Sequence, residues 1–168
     1  METDSVRGDV GKPASRRAAR KKLLEICFEA DFHLVDDPAA FVEERLLRPP
    51  ENDPSDPDGH IVRKFEGDNL HFIKSLAELV LRNTKALDAV LERYPWEWSF
   101  DRIGRPERIV LRIALAELLF TDTSYKIVIN EALDLAKAYG ESDANRFVNG
   151  ILGSIYSDLE SIRNEFSD

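Results

Sequence analysis

Apolar residues recur three and four positions apart along almost the whole chain, and no stretch sustains the alternation of a half-buried strand. From about Ser15, the residues Ala19, Leu23, Ile26, Cys27, Ala30 and Leu34 fall on one face of a first helix. Pro38 suits the first turn of a short second helix running through Leu46 and Leu47. The segment RPPENDPSDPDGH holds four of the eight prolines and four acids, so residues 49–60 are read as an exposed acidic loop. From Asp68 the pattern resumes through Leu70, Ile73, Leu76, Ala77, Val80, Leu81, Thr84, Leu87 and Leu91. It fits one helix to Arg93, or two joined by a kink near Asn83. YPWEWSFDRIGRP interrupts it, with Trp96 and Trp98 expected to pack under a turn or a short helical element. Pro106 and Glu107 open the next helix, whose apolar face is Ile109, Val110, Ile113, Ala114 and Leu118. IVINEALDLAKAY forms another and stops at Gly140. Ser142 is placed to cap a last helix with the stripe Phe147, Ile151, Leu152, Ile155, Leu159 and Ile162. The pattern predicts an all-α fold of six or seven helices in two packed small bundles, about 14–93 and about 94–166.

A chain of 168 residues most simply makes one compact unit. Its single cysteine, Cys27, excludes an intramolecular disulfide and lies on an apolar stripe, as a buried small hydrophobe would. No apolar run approaches the roughly 18 residues needed to span a bilayer. Residues 1–11 are polar and acidic, unlike a secretory signal, and are read as a disordered leader. A soluble, cytoplasmic protein with no membrane role is expected.

Charge changes the picture. KPASRRAARKK, from Lys12 to Lys22, carries six cations and no acid in a chain of net charge −9, leaving −15 on the remainder. Such a background opposes indiscriminate nucleic-acid binding. Arg16, Arg17, Arg20 and Lys21 lie on the first turns of the first helix, where cations oppose the helix dipole at about 0.3–1 kcal/mol each. Arg16 with Arg20, and Arg17 with Lys21, are also like charges at i,i+4. A run of charge is often only a solvated face, but these placements are the ones stability alone would avoid. An anionic partner explains them, and the planar arginine fork favours phosphate and base edges. One short patch binds weakly, so sequence-specific reading calls for a second surface nearby with an aromatic, and points to single-stranded RNA. Replacing Arg16, Arg17 and Arg20 by glutamine is expected to weaken RNA binding and flatten its salt dependence, and to leave stability unchanged or slightly higher because the dipole conflict is relieved.

Elsewhere the residues favour ordinary structural readings. Phe147 opens an apolar stripe and is a core anchor more readily than a stacking platform. Asn130 and Glu131 suit the support of their helix start. Gly150 lies mid-helix, where glycine costs roughly 1 kcal/mol against alanine, and close helix packing with Gly153 would explain it. His33, His60 and His71 share no ligand spacing, so neither a metal nor another cofactor is expected. The carboxylates form no pair with general acid and base character, and an enzyme is not expected.

The stretch YKIVINEALDLAKAYGESDANRFVNGIL resembles the C-terminal signature of the NusB transcription antitermination family. INEALDLAK, the Gly140 break and RFVNGIL arrive in that family's order, RPERIVLRIALAEL resembles its preceding helix, and PASRRAAR resembles its arginine-rich start. The resemblance covers roughly Lys12–Ile155. It implies a NusB-like domain over residues 12–168 that pairs with NusE, a small-subunit ribosomal protein, and binds boxA-type nascent single-stranded RNA. The pair joins NusA and NusG on RNA polymerase to read through terminators, notably in ribosomal RNA operons. Carried over by position, it implies RNA contact by Lys12, Arg16, Arg17 and Arg20, with a second RNA-facing patch at Asp143, Arg146 and Phe147. Asp101 and Glu107 match acidic positions facing NusE, which suits a basic partner and the net charge. Ala18 interrupts the arginine run, and the leader and the loop 49–60 match no family feature. Some members self-associate through the RNA surface, so an autoinhibitory homodimer is a further possibility. Two other readings stay open: a helical protein–protein adaptor without RNA, and the NusB-like domain of ribosomal RNA cytosine methyltransferases. The latter would need a glycine-rich cofactor loop after a strand, and no such motif occurs in this sequence.

Overall fold

The computed structural model describes residues 15–47, 65–94 and 103–167. Among them there is no strand, and eight helices follow in order: α1 (Arg16–Ala30), α2 (Pro38–Leu47), α3 (Gly67–Arg82), α4 (Thr84–Leu91), α5 (Arg105–Phe120), α6 (Tyr125–Tyr139), α7 (Ala144–Ser157) and α8 (Leu159–Glu165). The leader, Lys12, the acidic loop, Trp96, Trp98 and Asp101 lie outside the described residues.

Local chemistry sets most boundaries. The Ser15 hydroxyl accepts the Ala18 N–H at 3.1 Å and caps α1, and Asp37 Oδ1 accepts that of Ala40 at 3.1 Å, just ahead of Pro38. Leu34, expected on the first helix, lies beyond its end and is 98% exposed. The long third pattern divides at Asn83, whose Nδ2 donates to the Leu79 carbonyl at 2.8 Å while Thr84 Oγ1 donates to that of Val80. Side chains that bond carbonyls one turn back compete with the helix ladder there. The last stripe divides at Asp158, next to Ser157, whose Oγ donates to the Gly153 carbonyl at 3.3 Å, so α7 and α8 share one apolar face as two helices. These two breaks raise the number of helices above the six or seven expected. Asp143, and not Ser142, occupies the cap position of α7, with no side-chain cap bond.

α5 is the axis of the molecule. Ile109 to Leu118 are buried without interruption, on every face of the helix. It packs against α1, α3 and α4 on the one hand and α6, α7 and α8 on the other. Within the first group α3 packs on α1 and α2, within the second α6 packs on α7, and a single contiguous apolar core joins all of them. Truncating a fully buried side chain such as Leu115 costs about 2–5 kcal/mol in cores of this kind.

Three buried charged residues punctuate α5: Glu107, Arg112 and Glu117. Glu117 Oε1 and Oε2 accept Arg20 Nη2 at 2.5 Å and Nε at 3.3 Å, with 2% and 6% of the two side chains exposed. Arg112 donates twice to Asp88, at 2.6 and 2.8 Å, and once to Asp31, at 2.9 Å. Burial works against the Arg112 charge, but the bonds to Asp88 and Asp31 outweigh it and raise its pKa. The turn after α4 is tied to α8 and its cap by a bidentate Arg93–Glu165 pair and by the Tyr94 hydroxyl, which donates to Asp158 Oδ2 at 3.0 Å.

The buried pair corrects the stability expectation for the arginine motif. Arg20→Gln should destabilise the fold by about 3–5 kcal/mol, because Glu117 keeps its burial and loses its partner. Arg16→Gln with Arg17→Gln should stay within about 1 kcal/mol, as expected for exposed cations. Urea unfolding followed by circular dichroism separates the two cases. A second prediction concerns alkaline stability. Burial, the Asp158 bond and the Asp158 charge push the Tyr94 phenol from 10.0 up to about 12. The neutral phenol is therefore the form that folding favours, so its contribution is complete below pH 10.0 and is lost as pH climbs towards about 12. Tyr94→Phe should lower stability at neutral pH and flatten the decline across that window in a stability-versus-pH series.

Candidate nucleic-acid interface

The three motif arginines of α1 take three different environments. Arg20 points inward and is 5% exposed, held by Glu117. This corrects the expectation of an RNA-facing guanidinium: its Nε and Nη2 donors are committed to Glu117 within the core. Arg16 is exposed, and its guanidinium lies 4.2 Å from the centre of the Phe72 ring of α3, with Arg20 at 5.2 Å from the same ring. Such stacking orients a cation without using its hydrogen-bond donors. Arg17 keeps 70% of its side chain exposed and donates to Asp134 at 2.8 Å and to Glu131 at 3.5 Å, both on α6. Glu131 lies in the middle of α6, so it supports α1 and not, as expected, the start of its own helix.

The second candidate patch sits where α6 turns into α7. Tyr125, at the start of α6, stacks on Tyr156, near the end of α7, with ring centres 4.1 Å apart, so the two helices run antiparallel. Asp143 and Arg146 are therefore beside the far end of α6, and both are exposed. Phe147 is half-buried and packs against the core, as an anchor does. From Asp134 to Gly140 the axial distance along α6 is roughly 9 Å. α6 thus carries the Arg17 anchor and the Arg146 turn within a short span. Lys137 and Tyr139 are also exposed on this end of α6.

Glu107 is not on a surface. It is 2% exposed, and its Oε1 accepts the Glu141 N–H at 2.7 Å. A partner cannot reach this carboxyl as the chain is folded, which corrects the expectation of a direct contact. The face beside it has a different character. Phe28, Phe32 and Leu34 are 36%, 61% and 98% exposed, Phe28 and Phe32 pack at 5.4 Å, and Arg105 lies 4.0 Å over the Phe32 ring while reaching Asp31 at 3.3 Å. Sequence reasoning misses this patch because Leu34 continues the spacing of the buried stripe. The i,i+4 spacing of Phe28 and Phe32, off the Leu23–Cys27–Ala30 face, is the available signal. It also misses Phe72 and Asp134, whose roles arise only where α3 and α6 meet α1. Gly150 is exposed and a Cβ there would meet nothing within 4 Å, and for Gly153 the nearest neighbour is at an ordinary 3.8 Å, the Tyr125 hydroxyl. Helix packing does not explain either glycine.

Known proteins share this fold. The family model of NusB matches residues 17–157. The chain belongs to the NusB family. It is 37% identical over 155 residues to the transcription antitermination protein NusB of Desulfovibrio desulfuricans, covering 90% of each. It is 33% identical over 146 residues to that of Bacillus subtilis, covering 86% of this chain and 97% of the relative. The structure superposes on T. maritima NusB with a TM-score of 0.66 at 26% identity, covering 92% and 94% of the two chains. A NusB chain from a crystal structure of the antitermination factors NusB and NusE in complex with double-stranded RNA gives 0.63 at 26% identity, covering 84% and 96%. The all-α NusB fold and the membership in a family of antitermination factors are thereby established. Among the described residues, no helix is long and apolar enough to cross a membrane.

The structure also fixes the chemistry of Cys27. Burial pushes the thiol up to about 12, with the Arg112 charge pulling it down and Asp31 pushing it up. Thiolate is the reactive form, so Cys27 should resist a disulfide reagent at pH 8 in the native protein and react at once in denaturant. Rapid native labelling would show that this part of the core opens.

Proposed function

We propose that the chain is an RNA-binding antitermination adaptor, which reads boxA-type nascent single-stranded RNA together with NusE and joins NusA and NusG on RNA polymerase. The observation that carries this reading is the pair of exposed cationic elements, Arg16–Arg17 at the start of α1, where Arg17 pairs with Asp134 of α6, and Arg146 at the start of α7. Arg16 and Arg17 keep donors on the surface at a helix start, where stability alone would not place them. Arg146 begins α7 beside Asp143, whose carboxylate can accept from base amino groups. Lys12 is proposed to extend the first element. Arg20 serves it from inside by fixing the start of α1. The relative solved with NusE and RNA supports the same pairing of partners.

The protein-facing surface follows from the apolar patch Phe28–Phe32–Leu34. An exposed cluster of this kind suits a protein contact better than nucleic acid. The chain's net charge of −9 suits a basic partner such as a ribosomal protein, and Asp101 is proposed to contribute to that attraction.

The test is fluorescence anisotropy of a boxA-type RNA with the chain alone and with its cognate NusE at near-physiological salt. Tight binding that appears mainly with the pair is expected. Arg16→Gln with Arg17→Gln should weaken it and shrink the salt dependence, by roughly 0.7 in slope for each phosphate of a single strand that is no longer neutralised. No binding in either case, with a folded protein, would overturn the reading.

A further inference from the structure

We propose that Glu107 is a positioning residue for RNA: it sets the α6–α7 turn, and with it Asp143 and Arg146, from inside the protein. The inference rests on that turn being RNA-facing. Glu107 belongs to the first turn of α5, yet its bond goes to Glu141, in the turn just after the end of α6. From Glu141 the connection continues outward. Its carbonyl accepts the N–H of Ala144 at 3.0 Å, Ala144 is fully buried, and the Asp143 carbonyl accepts the N–H of Arg146 at 3.2 Å. The first turn of α7 therefore hangs from the residue that Glu107 holds.

Two glycines make room for this carboxyl. A Cβ on Gly140 would lie 2.6 Å from Glu107 Oε1, 2.6 Å from the Ala136 carbonyl and 2.9 Å from the Ala144 Cβ, and a Cβ on Gly104 would collide with Glu107 Oε2. Gly140 has φ −92° and ψ −178°, a backbone any residue adopts, so space and not conformation requires glycine there. Oε2 is buried and has no hydrogen-bond partner among the described residues. Burying a carboxyl with one oxygen unanswered is costly. A serine or aspartate could start α5 without that cost, but neither would reach Glu141. The arrangement makes sense if the geometry of the turn is what matters.

The experiment uses the full chain with Glu107→Ala, Glu107→Gln and Arg146→Gln, read by amide hydrogen exchange at Glu141 and by anisotropy of boxA-type RNA with NusE. Thermal unfolding confirms that each variant is folded; if Glu107→Ala is not, Gly140→Ala, which crowds the same bond from the other side, replaces it. Glu107→Ala should strip protection from the Glu141 amide and weaken RNA binding by roughly fivefold, the scale of one exposed charge pair. Glu107→Gln keeps an accepting oxygen and should rescue both. Arg146→Gln should cost nothing further in the Glu107→Ala background, while Arg16→Gln should cost as much there as in the wild type. A Glu141 amide that stays protected in Glu107→Ala overturns the inference. So does lost protection with unchanged RNA affinity when Arg146→Gln in the wild-type background weakens binding. If Arg146→Gln has no effect in the wild type, the reading of the turn as RNA-facing fails and takes this inference with it.

Discussion

A helix buried on all sides by apolar neighbours has little to fix its rotation, because leucine and isoleucine pack acceptably in many registers. α5 is such a helix, and its three buried charged residues supply what the apolar neighbours lack. Glu107, Arg112 and Glu117 stand five residues apart, and each step of five turns a helix by about 140°, so they leave it in three directions. Glu117 meets Arg20 of α1, Arg112 meets Asp31 beyond α1 and Asp88 of α4, and Glu107 meets the turn between α6 and α7. Buried ion pairs contribute little net stability, but any arrangement that separates the partners is heavily penalised. The surrounding helices are thereby set in one register about α5.

That register determines what the surface can do. Arg20, given up to the interior, fixes the start of α1 so that Arg16 meets Phe72 and Arg17 meets Asp134. Arg16 is held by a ring that leaves its donors available. Arg17 is held by a carboxylate in an exposed pair, worth about 0–1 kcal/mol, which a phosphate can displace at little cost. The motif is thus one internal brace and two presented cations of different readiness. The first turn of α5 reaches two faces at once, since Arg105 covers Phe32 beside the apolar patch while Glu107 holds the turn that carries Arg146.

Much of the fold was legible along the chain because helical periodicity is written in neighbours three and four apart. Ser15, Pro38, Pro106 and Gly140 marked ends through local chemistry, and the break near Asn83 followed from a residue that bonds its own backbone. The misplacements were also local: Leu34 continued the apolar spacing past the end of α1, and Asp158 interrupted a stripe that stayed in phase across it. The arginine-rich start drew attention through cations at an unfavourable helix end, whereas the second candidate patch came only from the family resemblance of the stretch through RFVNGIL.

The helices, their apolar faces and the identity of the charged groups are already set along the chain, because each of these depends on residues within a turn or two. Tertiary structure alone decided which charges are inside. Nothing adjacent to Arg20 or Glu107 distinguishes them from Arg17 or Glu131. Their partners are Glu117, 97 residues away, and the Glu141 amide, 34 away. Burial of a charge depends on a partner arriving from another helix, and only the folded chain brings one.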